Sequence, residues 1–163
     1  MKDIIIKNKL LKEIDYDDPF FDSLRKDYYN FDNWFINKQN NNEKAYVTYK
    51  NNKITSFLLL KIEKEDELYL DFITPFPKGY RLKICTFKVI DINKNIGKSF
   101  IKIINDYAKE NNIKEIYITI NPKYINLIKF LEKNNYKYYT NNNSLDGNGK
   151  LLKEHVYLKI VKE

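Results

Sequence analysis

Lys94, Gly97, Lys98 and Ser99 stand close together, directly ahead of an apolar pattern at helical spacing. Ile96, Phe100, Ile101, Ile104, Tyr107 and Ala108 recur at intervals that place them on one face of a helix. A helix start presents backbone N–H groups with no intrahelical acceptor, and the positive end of the helix dipole lies behind them. Together they favour an anion. Lys94 and Lys98 add cationic charge on either side of Gly97. The chemistry expected here is the binding of a phosphate-bearing ligand. The chain ahead of the turn, Arg81 to Ile90, reads as a long strand, and Asp91 to Asn95 as a short polar loop. A strand therefore feeds a helix through an anion-binding turn.

Other residue types offer chemistry more weakly. Ile96-Gly97-Lys98-Ser99 also has the tail of a phosphate-binding loop of the Gly-x-x-x-x-Gly-Lys-(Ser/Thr) kind. Its first glycine would fall on residue 92, which is Ile, and repeated strand–helix–strand units are missing. Cys85 lies mid-strand beside Ile84 and Phe87 with no His near it in sequence, so it reads as a buried structural thiol. His155, expected to open the last strand, is a candidate general base or a partly exposed strand histidine. Tyr28, Tyr29, Phe31 and Trp34 fall on two early helices, where most such rings pack into a core. The fourteen tyrosines are spread along the chain rather than grouped, which favours packing over stacking on nucleic acid bases.

Composition narrows the class. A chain of 163 residues is expected to be one domain, 1–163, and 31% charged against 43% hydrophobic residues is the balance of a globular protein. One Cys excludes an intramolecular disulfide and, with one His, argues against a zinc site. The run Ile4-Ile5-Ile6 is too short for a membrane span or signal peptide, so a cytoplasmic protein is expected. Net charge is +7, but the lysines alternate with acids, as in Lys61-Ile-Glu-Lys-Glu-Asp-Glu67. That pattern describes a solvated basic surface better than a dedicated nucleic-acid face.

The flanking elements follow from local signals. A first strand is expected around Ile4-Ile5-Ile6. Asp17-Asp18-Pro19 supplies a cap and a first-turn proline for a helix carrying Phe20, Phe21, Leu24 and Tyr28. A second helix runs from Asn30 to Lys38. Lys44–Lys50 and Lys53–Ile62 are strands joined at Asn51-Asn52, since paired Asn tolerates the positive φ of a two-residue hairpin. Leu68 to Ile73 is a candidate edge strand. After the Gly97 helix come a strand at Glu115–Ile120, a helix capped by Asn121-Pro122 that ends near Asn134-Asn135, and two strands at Tyr136–Thr140 and His155–Val161. The polar connection Asn141 to Gly149 is expected to be a mobile loop.

This order of elements resembles the GNAT fold of the Gcn5-related N-acetyltransferases, over essentially the whole chain. The resemblance implies an α+β protein with a mixed, mostly antiparallel sheet of six or seven strands flanked by about four helices. In that family the loop after the fourth strand carries (Gln/Arg)-x-x-Gly-x-(Gly/Ala), whose amides hold the pyrophosphate of acetyl-CoA. The equivalent residues here are Ile92-Asn93-Lys94-Asn95-Ile96-Gly97, with Asn95 in place of the first glycine and Ile92 in place of Gln/Arg. A second family signature overlays Tyr124 to Tyr136, with Glu132-Lys133 aligned and Asn135 at its glycine. The tyrosine often used as general acid falls on Leu131, with Tyr124, Tyr138 and Tyr139 as the substitutes at hand.

What the resemblance implies is acetyl-CoA as acyl donor. It would be bound by Phe87, Lys88, Val89, Asn93, Lys94, Asn95, Ile96, Gly97, Lys98 and Ser99, with further contacts from Asn121 and Asn126. The strand carrying Phe87 to Val89 would part from the one at Glu115–Ile120 to admit the pantetheine arm, and a backbone N–H there would polarise the thioester carbonyl. The acceptor would be an amine on a small molecule, a protein or an aminoacyl-tRNA, placed between the early helices and the Asn141–Gly149 loop. A homodimer is among the assemblies this allows. The alternative is a GNAT-like module without catalysis that binds CoA, a protein or RNA.

Overall fold

The computed structural model describes residues 4–91 and 95–162. The described strands form a single seven-stranded mixed sheet in the order β1-β2-β3-β4-β5-β7-β6. They are β1 (Lys7–Leu10), β2 (Lys44–Lys50), β3 (Lys53–Glu63), β4 (Arg81–Val89), β5 (Glu115–Ile120), β6 (Lys137–Leu145) and β7 (Leu151–Ile160). The described helices are α1 (Asp22–Asp27), α2 (Phe31–Asn40), α3 (Ile96–Glu110) and α4 (Ile125–Lys133), with short 3-10 turns at Leu11–Glu13 and Pro19–Phe21. β1, β2 and β3 pair antiparallel in sequence order, β4 and β5 run parallel, and β7 pairs antiparallel with β5. This is the expected α+β architecture.

By its internal contacts the chain divides into two compact units. The first comprises Met1–Leu59, Thr86–Gly97 and Leu145–Lys150, and the second Leu60–Cys85, Lys98–Ser144 and Leu151–Glu163. The first has an aromatic core. Phe21 meets Phe35 edge-on at 5.1 Å between centroids and Phe57 at 5.3 Å, and Phe31 and Phe20 complete the group. Such ring pairs add roughly 0.5–1.5 kcal/mol each beyond the area they bury. In the second unit Tyr69, Phe72, Phe76, Tyr117 and Val156 form one cluster, with Tyr139 and Leu158 against it. The face of α3 anticipated from its spacing is the buried one, with Phe100, Ile104 and Ala108 fully covered.

Asparagine does much of the turning. Asn51 and Asn52 take φ of 52° and 63°, as a two-residue hairpin requires, and Asn135 ends α4 at 72°. Asp18 caps the Pro19 turn by accepting from Phe20 N at 2.9 Å, and its other oxygen accepts from Ile54 N at 3.1 Å.

Several expectations are corrected. The first strand is Lys7–Leu10 rather than Ile4–Ile6; Ile5 is exposed, while Lys7 to Leu10 find ladder partners on β2 from Val47 to Lys44. Leu68–Ile73 forms no strand but an isolated bridge, Phe72 to Asn142, with Ile73 N donating to Asn141 O. That pairing helps to draw β6 on through Asn141–Leu145, so the connection to β7 is a short turn rather than a long loop. β7 starts at Leu151, which puts His155 mid-strand. Asn121-Pro122 does not open α4: Asn121 Oδ1 accepts from Lys123 N in a separate turn, and Tyr124 takes the cap position. Cys85 is partly exposed rather than buried.

Candidate functional site

The stretch from β4 into α3 holds most of the candidate residues. The parallel register between β4 and β5 covers Leu82–Ile84 against Ile116–Ile118. β4 itself continues to Val89. Its other edge stays tied down, since Ile90 N donates to Thr55 O at 2.8 Å. Beyond β4, Asn93 and Lys94 lie outside the described residues, as does Ile92. Asn95 has φ 55°, the left-handed conformation in which Asn is the best tolerated residue after Gly. Ile96 is buried and pins the start of α3, leaving Gly97, Lys98 and Ser99 in its first turn, the latter two exposed. The amides of that turn have no intrahelical acceptor and lie at the positive end of a helix of 15 residues.

Phe87 is buried and Lys88 and Val89 are half-buried. The Lys88 amine turns toward the start of α1. It donates to the Phe20 carbonyl and to Ser23 Oγ at 2.6 Å, and lies 4.3 Å from the Phe20 ring centroid. Burial lowers its pKa, and the carboxylates of Asp27, Asp22 and Asp18 oppose that shift. Nothing in the sequence pointed to this contact, because a strand lysine is ordinarily solvated. Its partners come from residues more than sixty positions away.

In the same unit, the turn between β6 and β7 packs on α1. Gly147 N donates to Lys26 O at 3.0 Å, and Tyr29 N to Leu145 O at 3.2 Å. At Gly147 the early helices and this turn are thus in direct contact.

The second unit carries the remaining candidates. Asn121 is occupied in its own turn, and Asn126 is exposed on α4. Leu131, where the resemblance led us to expect the general acid, is fully buried and has no proton to give. Of the substitutes, Tyr139 stacks on Phe76 at 4.7 Å and donates to Pro75 O, and Tyr138 donates to Asn141 Oδ1 at 2.7 Å. His155 meets Tyr138 edge-on at 5.2 Å, and its Nδ1 is buried with no hydrogen-bond partner among the described residues. A cluster that sequence reasoning missed joins Glu63, Tyr69 and Tyr117: both hydroxyls donate to Glu63 Oε1, Tyr69 at 3.1 Å. Its members are separated by up to 54 positions, so no local signal marks it. Among the described residues no group of His, Cys, Asp and Glu is placed to hold a metal ion, and no helix is long and apolar enough to cross a membrane.

No family model matches the sequence, and no curated protein matches it. Solved structures do match the fold. A GNAT family acetyltransferase from Elizabethkingia anophelis, with acetyl-CoA bound, superposes with a TM-score of 0.63 at 13% identity, covering 98% of this chain and 99% of that one. NAA60 from Arabidopsis thaliana in complex with acetyl-CoA gives 0.72 at 13% identity over 97% and 98%. Naa50 from the same plant, in complex with a bisubstrate analogue, gives 0.69 at 18% identity over 97% and 99%. With its β4–β5 parallel pair, the strand order around it and these neighbours over nearly the whole length, the chain has the GNAT acetyltransferase fold.

Proposed function

We propose that the chain is an acetyl-CoA-dependent N-acyltransferase whose acceptor is an amine. The observation that carries this is the parallel β4–β5 pairing, Leu82–Ile84 against Ile116–Ile118, on a fold shared with acetyltransferases that bind acetyl-CoA, with Asn95 left-handed just before α3. A strand is suited to run beside a pantetheine arm, whose amides need both donors and acceptors. The first turn of α3 is suited to the diphosphate, with Lys98 and Lys94 supplying charge and Asn93 hydrogen-bond donors. In this assignment Phe87, Lys88 and Val89 hold the arm through main-chain groups. Asn95, Ile96, Gly97 and Ser99 shape the cradle, and Asn121 and Asn126 add contacts toward the arm.

The reaction joins the acceptor nitrogen to the acetyl carbonyl and releases CoA as its thiol. A backbone N–H donating to the thioester oxygen would stabilise the developing oxyanion. The amine arrives protonated and must lose a proton, and the thiolate must regain one. With Leu131 at the acid position, water is the proton source we assign to the thiolate. A small-molecule amine, a protein amine and an aminoacyl-tRNA are the acceptor classes; the basic surface favours the anionic ones. A lone cysteine is consistent with action in a reducing compartment, the cytoplasm.

Thermal unfolding with and without acetyl-CoA, followed by CoA release over a panel of amines, tests the assignment. Stabilisation with turnover is expected. Gly97→Glu, which sets a carboxylate among the phosphate-binding amides, is expected to abolish the stabilisation. An unshifted wild-type midpoint at millimolar acetyl-CoA overturns the assignment. The fully buried Leu131 favours a second reading, a CoA-binding module without catalysis, whose signature is stabilisation with no CoA release from any amine.

A further inference from the structure

We propose that residues 64–73, between β3 and β4, form a docking ridge for a basic segment of another protein, one that carries Leu- or Ile-type side chains among lysines or arginines. The proposal is independent of the donor assignment, and every residue it uses lies in the second unit. Two observations carry it. The first is a set of exposed apolar side chains. Tyr69, Phe72 and Phe76 turn inward to Tyr117 and Val156 and anchor the segment. Leu68, Leu70 and Ile73 face solvent instead, at 59%, 82% and 60% exposure. A single exposed leucine is ordinary, but three such side chains within residues 68–73 make a patch.

The ridge stands on a hydrogen-bonded base. Ile73 N donates to Asn141 O at 2.9 Å, Asn143 N to Asp71 O at 2.8 Å, and Thr74 N to Thr140 Oγ1 at 3.0 Å. Two turns brace it further, closed by Glu67 N on Lys64 O and by Phe72 N on Tyr69 O. The backbone is therefore ordered before any partner arrives, and docking spends little on ordering it.

The second observation is charge. Glu65, Asp66, Glu67 and Asp71 stand in this segment against a single lysine, Lys64, on a chain whose net charge is +7. Among the described residues none of these four acids forms an ion pair, whereas Glu63 and Glu115 of the same unit pair with Lys61 and Arg81. These charges decide between occupants. A nucleic acid backbone or an anionic lipid surface is repelled by them. A second copy seated across a twofold axis sets the same acids against themselves, an unfavourable match. A cationic segment is attracted, and its apolar side chains cover Leu68, Leu70 and Ile73.

The experiment titrates the full chain into a fluorescein-labelled peptide of lysine and leucine at amphipathic helical spacing. Two control peptides carry glutamate for every lysine, or serine for every leucine. The lysine–leucine peptide is expected to bind about tenfold or more tightly than either control and to weaken as salt rises. Amide exchange is expected to slow at residues 64–74 when it is bound. Leu70→Ser and Asp71→Lys are each expected to weaken binding about tenfold, with urea midpoints unchanged because both side chains are exposed. For a variant that does lose stability, the control peptides and the exchange map on the wild-type chain still decide. No binding, equal binding of either control, protection away from 64–74, or wild-type affinity in both variants overturns the proposal. So does a wild-type dimer in sedimentation that Leu70→Ser returns to monomer, since a second copy is then the occupant. The donor assignment stands or falls separately, on stabilisation by acetyl-CoA.

Discussion

The Tyr117 hydroxyl donates to the carboxylate of Glu63, joining β5 to the end of β3 inside the second unit. Both residues are almost fully buried, Glu63 at 4% exposure and Tyr117 at 2%. A carboxylate so placed needs every donor it has: Tyr69 supplies a second hydroxyl to the same oxygen, and Lys61 Nζ lies 3.8 Å from the other. Tyr117→Phe is therefore expected to cost roughly 1–3 kcal/mol, the penalty for removing one partner of a buried polar group. Glu63→Gln is expected to cost less, since it removes the charge and keeps an acceptor. Urea midpoints of the two variants check the order.

The same cluster sets an alkaline limit. Burial pushes the Tyr69 hydroxyl up to about 12, reinforced by the Glu63 carboxylate and opposed by the Arg81 guanidinium. Burial foremost, and then Glu63, raises Tyr117 as well, and burial alone raises Tyr136. In the unfolded chain a tyrosine titrates near 10, so above that pH the unfolded state gives up protons that the folded state keeps. Stability is thus full below about pH 10 and falls as pH rises from about 10 toward 12. Denaturation midpoints across that window are expected to decline, and Tyr69→Phe is expected to flatten the decline. An unchanged slope in Tyr69→Phe would remove Tyr69 from the explanation.

Asp18 joins two elements of the first unit with one carboxylate. Its two oxygens serve Phe20 N and Ile54 N, and the side chain is 6% exposed. Asp18→Ala leaves two buried backbone donors unmet, at a cost of about 1–3 kcal/mol for each that water cannot reach. Asp18→Asn keeps one acceptor and is expected to fall between wild type and Ala. Chemical denaturation of the three proteins gives the ranking.

Gly147 is held by space. A Cβ there would lie 2.4 Å from the Lys26 carbonyl oxygen and 2.5 Å from that of Arg25, both of them backbone atoms at the end of α1. Gly147→Ala must push the β6–β7 turn off α1, for roughly 1–3 kcal/mol, the usual range for overpacking. Faster amide exchange at Gly147 N, whose bond to Lys26 O breaks, is the local readout. Unchanged exchange with unchanged stability would show that the turn is not packed as described.

The sequence by itself determined the elements whose signals are local. α3 follows from apolar spacing, and the β2–β3 hairpin from Asn51-Asn52. The Asp18-Pro19 cap and the left-handed Asn95 and Asn135 likewise express preferences a residue carries wherever it stands. Asn95 and Gly97 therefore marked the turn into α3 before any coordinates. Tertiary structure decided what depends on partners distant in sequence. β1 lies at Lys7–Leu10, not at the more apolar Ile4–Ile6, because a strand is defined by the neighbour that completes its ladder. β6 reaches Leu145 through a polar Asn run for the same reason, with Phe72 and Ile73 meeting it from far away. The Glu63–Tyr117 bond and the seat of the Lys88 amine are of this kind too. A side chain's type limits the contacts it can make, and only the folded backbone brings one of them within 3 Å.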